Sequence, residues 1–235
     1  MAKAHYDIGV RMTKAQKILG WLYLPCYLVL TSFAIQMVAA FLGIPLSEYA
    51  VNLLYFIFNF VFVLLVFHRF LLKSLRGFTE HFWQFVQTLI LGFALYYIGN
   101  LVFVGLFGLL AGDSTIVNNE AVADLISENE TVMLLCSVIA APIVEETLVR
   151  GVVFGSFHRV NRYAAYAASI LLFSVMHIWQ FAGSLTIPAL IYNALVYVPA
   201  GVALGWTYEK SGTIFCPIVL HAIINAVAYG VTLAF

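Results

Sequence analysis

The sequence predicts an all-α, polytopic transmembrane helix bundle of about seven spans, on three observations. The chain has 235 residues, 63% hydrophobic and only 9% charged, whereas a soluble domain carries about 25% charged residues. Its apolar runs exceed the roughly 20 residues that cross a hydrocarbon core of about 30 Å. Apart from Arg150 within the fourth span, its Lys and Arg side chains fall on alternate connections only. Hydropathy sets the spans at about 18–43, 50–71, 83–111, 131–157, 163–179, 187–207 and 213–235. The runs are uniformly apolar where barrel strands would be shorter and would alternate. They leave no stretch for a soluble domain, so residues 1–235 read as one integral membrane domain. The run from Ile18 to Gly43 is too long for the h-region of a cleaved signal peptide.

The connections set the orientation. Lys3, Arg11, Lys14 and Lys17 precede the first span; Arg69, Lys73 and Arg76 follow the second; Arg159 and Arg162 follow the fourth; Lys210 follows the sixth. The opposite connections hold Glu48, then Asp113, Glu120, Asp124, Glu128 and Glu130, then the uncharged stretch 180–186. The positive-inside rule puts the N-terminus in the cytoplasm and the C-terminus outside, in a bacterial cell membrane. Residues 73–84, basic and aromatic, read as an interfacial segment on anionic headgroups, and 112–130 as a solvated connection. Zero formal net charge suggests no nucleic-acid partner; the bilayer is the partner the composition implies. Cys26, Cys136 and Cys216 are odd in number and lack metal-type spacing, so they read as packing residues.

Three ionisable residues interrupt the fourth span, which reads Ala140-Ala-Pro-Ile-Val-Glu145-Glu146-Thr-Leu-Val-Arg150. Each costs about 2.5–3.5 kcal/mol near a helix centre, roughly 8–10 kcal/mol together, so all three must face protein or a wet cavity. Glu146 and Arg150 share a helical face and pair, while Glu145 lies about 100° round and stays without a cation. A carboxylate so placed suits a general base that must take a proton from water. Alternatively the three form one ion cluster that only holds the bundle together.

Partners stand on two other spans. The fifth ends Phe173-Ser-Val-Met-His177 and the seventh contains His221-Ala-Ile-Ile-Asn225, each with two of these residues at i and i+4 and hence on one face. A lone intramembrane histidine is usually a packing residue; two histidines, an asparagine and an unpaired glutamate on three spans point to a site. His5, His68, His81 and His158 fall at aqueous edges. Tyr192, Asn193 and Tyr197 in the sixth span read as packing or cavity lining. At about 1.5 Å per residue from the span ends, however, His177 lies on the order of 10 Å nearer the outer surface than Glu145 and His221.

The set Glu145-Glu146-x-x-x-Arg150, Phe173-x-x-x-His177 and His221-x-x-x-Asn225 resembles the motifs of the CPBP family, which groups CAAX prenyl endopeptidases with bacteriocin-processing and Abi immunity proteins. The resemblance covers residues 131–235, the catalytic core it implies; the first three spans match only in being hydrophobic. It implies an intramembrane endopeptidase acting on a peptide or lipidated-peptide substrate: a CAAX-like, bacteriocin or signal-peptide precursor. Glu145 and His177 would activate water, His221 and Asn225 would stabilise the oxyanion, and Glu146, Arg150 and Phe173 would support them structurally. The bottom-up reading agrees, since Asn and His can donate where negative charge develops. This chemistry needs no cofactor. The alternative is a zinc-dependent peptidase with Glu145, His177 and His221 as metal ligands, against which an Asn beside the second His argues. Gly-x-Ser-x-Gly, His-Glu-x-x-His and Gly-x-Gly-Asp are absent from the sequence. Two non-peptidase readings compete: a membrane scaffold or immunity protein, and a proton-coupled transporter, for which no inverted repeat is evident.

Overall fold

The computed structural model describes residues 9–111 and 116–234, with the side chains of 104, 108–111 and 231–234 excluded. Lys3, His5 and Asp113, named above, lie outside the described residues, as does position 235. Among those described, the elements are all helical, in the order α1 Lys14–Phe41, α2 Glu48–Glu80, α3 Phe82–Ala111, α4 Val117–Glu128, α5 Glu130–Phe157, α6 Arg162–Ile178, α7 Ile187–Ser211 and α8 Phe215–Ala234. Six of these, all but α4 and α8, are long and apolar enough to cross a membrane; α8 is a 20-residue apolar helix. The protein is an integral membrane helical bundle.

Local chemistry fixes the helix ends. Thr13 and Gln16 form a reciprocal capping box at the start of α1. The side chains of Ser47, Asn129 and Asn161 accept backbone N–H groups at the starts of α2, α5 and α6, satisfying donors that have no intrahelical partner. Gly212 ends α7 in the left-handed region at φ 68°, where a side chain would be strained, and its carbonyl accepts from Val10 N–H.

Two connections differ from expectation. Residues 73–84 are almost wholly helical, beyond the expected span ends: α2 runs on to Glu80, breaks at His81 and gives way to α3 at Phe82. Hydropathy ends a span at its first charges, but Lys, Arg and Glu are good helix formers, so the helix outlasts the apolar run. The stretch after residue 115, expected as a solvated connection, is the amphipathic helix α4. Glu120, Asp124 and Glu128 line one face at i, i+4 and i+8, while Ile126 is buried and Val117 N–H donates to Asn193 Oδ1 at 3.0 Å.

Helix α5 is central: 56% of its most apolar window is buried, against 6% for α3. A helix carrying two carboxylates and a guanidinium belongs there, because any outer position would face them to lipid. Small residues let its neighbours close in. A Cβ on Gly20 of α1 would overlap the Val152 side chain of α5, and one on Gly92 of α3 would overlap Thr207 of α7. All three cysteines are free thiols, with Cys136 and Cys216 buried.

Candidate active site

Helix α5 departs from α geometry on both sides of Glu145. Residues Cys136–Ala140 and Thr147–Phe154 are π-helical, a form that gathers at functional sites. In the first stretch the Ala141 N–H reaches back five residues to Cys136 O. The next donor in that pattern would come from Pro142, which has no N–H, so Ser137 O loses its backbone partner. Asn225 of α8 fills the gap, its Nδ2 donating to Ser137 O at 2.8 Å.

The expected pairing of Glu146 with Arg150 is present and extended. Arg150 Nη1 donates to Glu146 Oε1 at 3.0 Å, both side chains wholly buried. Its Nη2 donates to Gly201 O of α7 at 3.3 Å, and its guanidinium lies 4.5 Å over the Phe173 ring. The same Glu146 Oε1 lies 2.9 Å from His221 Nδ1. Because a carboxylate can only accept, His221 Nδ1 carries the proton and its Nε2 turns to the other carboxylate. Glu146 therefore orients a histidine besides pairing Arg150, a contact that i,i+4 spacing within one helix could not reveal.

Glu145 sits where three helices meet. Its Oε2 stands 3.8 Å from His177 Nε2 and 3.9 Å from His221 Nε2, and has no hydrogen-bond partner among the described residues. His177 Nδ1 bonds to Phe173 O at 2.7 Å, so it too is the protonated nitrogen and points Nε2 at Glu145. Tyr197 stacks on the His177 ring at 4.4 Å between centroids, and Phe173 meets the rings of His177 at 4.6 Å and His221 at 5.4 Å. Phe173 is thus the apolar post between the two imidazoles and the guanidinium.

The offset in depth expected between His177 and Glu145 is absent, since the two side chains lie within 3.8 Å. The relevant helix ends fall within two residues of their expected places, so a shifted start of the fifth span does not account for it. Of the four residues expected to act, Glu145, His177 and His221 converge. Asn225, one turn beyond His221, spends one of its two N–H donors on Ser137 O and keeps the other. Tyr197, read as lining, belongs to the site. Unforeseen altogether was Tyr27 of α1, whose hydroxyl donates to Glu145 Oε1 at 3.2 Å.

A zinc ion held at about 2.0–2.2 Å by three such ligands would set them about 3.4 Å apart. The two Nε2 atoms stand farther than that from Glu145 Oε2, and among the described residues no trio of His, Cys, Asp or Glu is arranged to hold a metal ion. As placed, the three atoms are spread wider than a bound zinc would hold them.

A second polar cluster lies at the other end of α5 and α7. Glu209 is buried and accepts from Arg162 Nε and Nη2 at 2.6 and 2.7 Å, from Tyr166 at 3.0 Å, and faces His158 Nε2 at 2.9 Å. His158 is therefore not an idle edge residue. The cluster clamps α6 to α7 and carries no group directed at Glu145.

Residues 127–227 match the family of the type II CAAX prenyl endopeptidase, Rce1-like. The chain is also similar to a Bacillus subtilis (strain 168) protein described as "Putative membrane peptidase YdiL", 27% identical over 109 residues, which is 46% of this chain and 40% of that protein. No solved structure matches. The matched segment begins near the start of α5 and ends within α8, and so takes in Glu145, His177, His221 and Asn225 but neither α1 nor α2.

Proposed function

We propose that this chain, a CPBP-family membrane peptidase through its Rce1-like residues 127–227, cleaves a peptide bond within the bilayer by water that Glu145 and His177 activate. The supporting observation is the convergence on Glu145 Oε2, which faces two imidazole nitrogens and no other donor among the described residues. Gaps of 3.8 and 3.9 Å are too long for direct hydrogen bonds, and a small widening of them admits a bridging water. Water held there attacks the peptide carbonyl carbon and gives its proton to Glu145; the C–N bond then breaks and the proton passes to the leaving amine.

The two histidines differ in what backs them. His177 has a neutral carbonyl behind its Nδ1, whereas His221 has a carboxylate at each ring nitrogen. His221 is thus the histidine suited to stabilise the developing oxyanion through Nε2. The remaining N–H of Asn225 is the second donor. The substrate is a membrane-associated peptide, CAAX-like, bacteriocin or signal-peptide precursor. The site works without a metal, and the N-terminus lies in the cytoplasm.

The test uses the full chain in lipid nanodiscs with a farnesylated CAAX peptide and an unmodified peptide library, read by mass spectrometry. Glu145→Gln should lower cleavage by at least about a hundredfold while insertion is retained. Undiminished cleavage in that variant would remove Glu145 as the base, and no cleavage by the wild type would favour the scaffold reading. Activity lost on chelation and restored by zinc would make Glu145, His177 and His221 metal ligands.

A further inference from the structure

The first span lies outside the segment matched to the peptidase family, yet it reaches the site. Tyr27 of α1 is buried, and its hydroxyl donates to Glu145 Oε1 at 3.2 Å. We propose that Tyr27 is a positioning residue for catalysis, fixing the Glu145 carboxylate so that Oε2 alone faces the two imidazoles.

Local geometry aims the phenol. Residues Cys26–Leu30, just after Pro25, form a π-helical stretch in which the Thr31 N–H reaches back to Cys26 O. Tyr27 O thereby loses the Thr31 N–H that an α-helix would give it. The Tyr55 hydroxyl of α2 donates there instead, at 2.8 Å, and the two tyrosine rings pack at 5.6 Å. Seven residues before Tyr27, two turns along the helix, Gly20 lets α1 close on Val152 of α5. Backbone, ring and helix spacing are thus all fixed around one hydroxyl.

The consequence follows from the carboxylate's two oxygens. A Glu145 free to rotate could swing either oxygen against the two imidazoles, closing the space a water needs. With Oε1 held by Tyr27, rotation costs a charge-assisted hydrogen bond, and Oε2 stays poised between the imidazoles. This inference rests on the peptidase reading of Glu145, and the two are separable.

The experiment compares wild type, Tyr27→Phe, Tyr55→Phe, Glu145→Gln and the Tyr27→Phe/Glu145→Gln double variant, each as the full chain in nanodiscs with the farnesylated CAAX peptide. Tyr27→Phe keeps the ring and removes only the hydroxyl. Its kcat should fall about ten- to a hundredfold, the worth of one hydrogen bond to a charged group, with KM within about twofold. In the Glu145→Gln background the same change should have no further effect. A role in packing alone would instead lower thermal stability and add to the Glu145→Gln loss. Infrared spectra supply a reading that needs no substrate: the carboxylate stretch abolished by Glu145→Gln should shift in Tyr27→Phe and hold its place in Tyr55→Phe. Undiminished kcat, additivity or an unmoved band would overturn the role of Tyr27. An active Glu145→Gln would overturn the peptidase reading of Glu145 instead.

Discussion

Removing Arg150 should damage the fold before it damages chemistry. Arg150→Ala strands Glu146, a carboxylate with no exposed surface, with His221 Nδ1 as its one remaining donor among the described residues. The change also deletes the bond to Gly201 O and the cation–π contact with Phe173, the latter worth about 2 kcal/mol when desolvated. Breaking a buried pair from one side costs about 3–5 kcal/mol. For a chain of this size that lowers Tm by roughly 6–20 °C, at about 2–4 °C per kcal/mol. The assay is thermal unfolding in nanodiscs beside peptide turnover. The sharper control is Glu146→Gln with Arg150→Met, which removes both charges and so should recover most of the lost Tm, because a neutral pair needs no compensation. Its turnover should stay low, since a glutamine still accepts from His221 Nδ1 but cannot support charge on the ring. A Tm drop under about 2 °C for Arg150→Ala, or a double variant no more stable than the single, would refute this.

Asn225→Ala should slow cleavage by about 2.7–4 kcal/mol in the barrier if its free N–H meets the oxyanion, read as kcat in the same nanodisc assay. It should also release Ser137 O, so amide exchange in the 136–141 turn should quicken. Glu209→Gln should lower Tm by loosening α6 from α7 while leaving kcat within about twofold, since its partners Arg162, Tyr166 and His158 touch nothing at Glu145; a large kcat loss at unchanged Tm would contradict that separation. Reporter fusions within α4 and at the C-terminus should both read as external, from the one-sided Lys and Arg pattern; either reading cytoplasmic would mean a miscounted span.

The spans were legible because lipid demands long apolar helices with every backbone group satisfied internally. The pairing of Glu146 with Arg150 was legible because both lie on one helix, four residues apart. The partners of Glu145 were legible only as a set, since two histidines that must avoid lipid have few places to go. What stayed hidden depends on distance across the bundle or on departures from α geometry. Tyr27 stands 118 residues from Glu145 in a span rich in ordinary aromatic residues, and its aim comes from a π turn that no periodicity announces. Pro142 gave a partial signal: a proline in a span frees a carbonyl that some side chain must answer, and Asn225 is that side chain. Helix α4 was hidden for another reason, because averaged hydropathy cannot separate two faces of one short helix.

The order in which these contacts are synthesised matters to a membrane-inserted chain. His221 follows Glu146 by 75 residues, about 4–15 s of translation at 5–20 residues per second. During that interval α5 must lie beside lipid or the insertion machinery with its ionisable groups in place. Arg150 and Glu146 neutralise each other within the helix, and Tyr27, made 118 residues before Glu145, already waits to receive the remaining carboxylate. Each of the three buried ions of α5 therefore has a partner that exists when it emerges. The histidines arrive last, so the nascent bundle holds its charges safely before the site is complete.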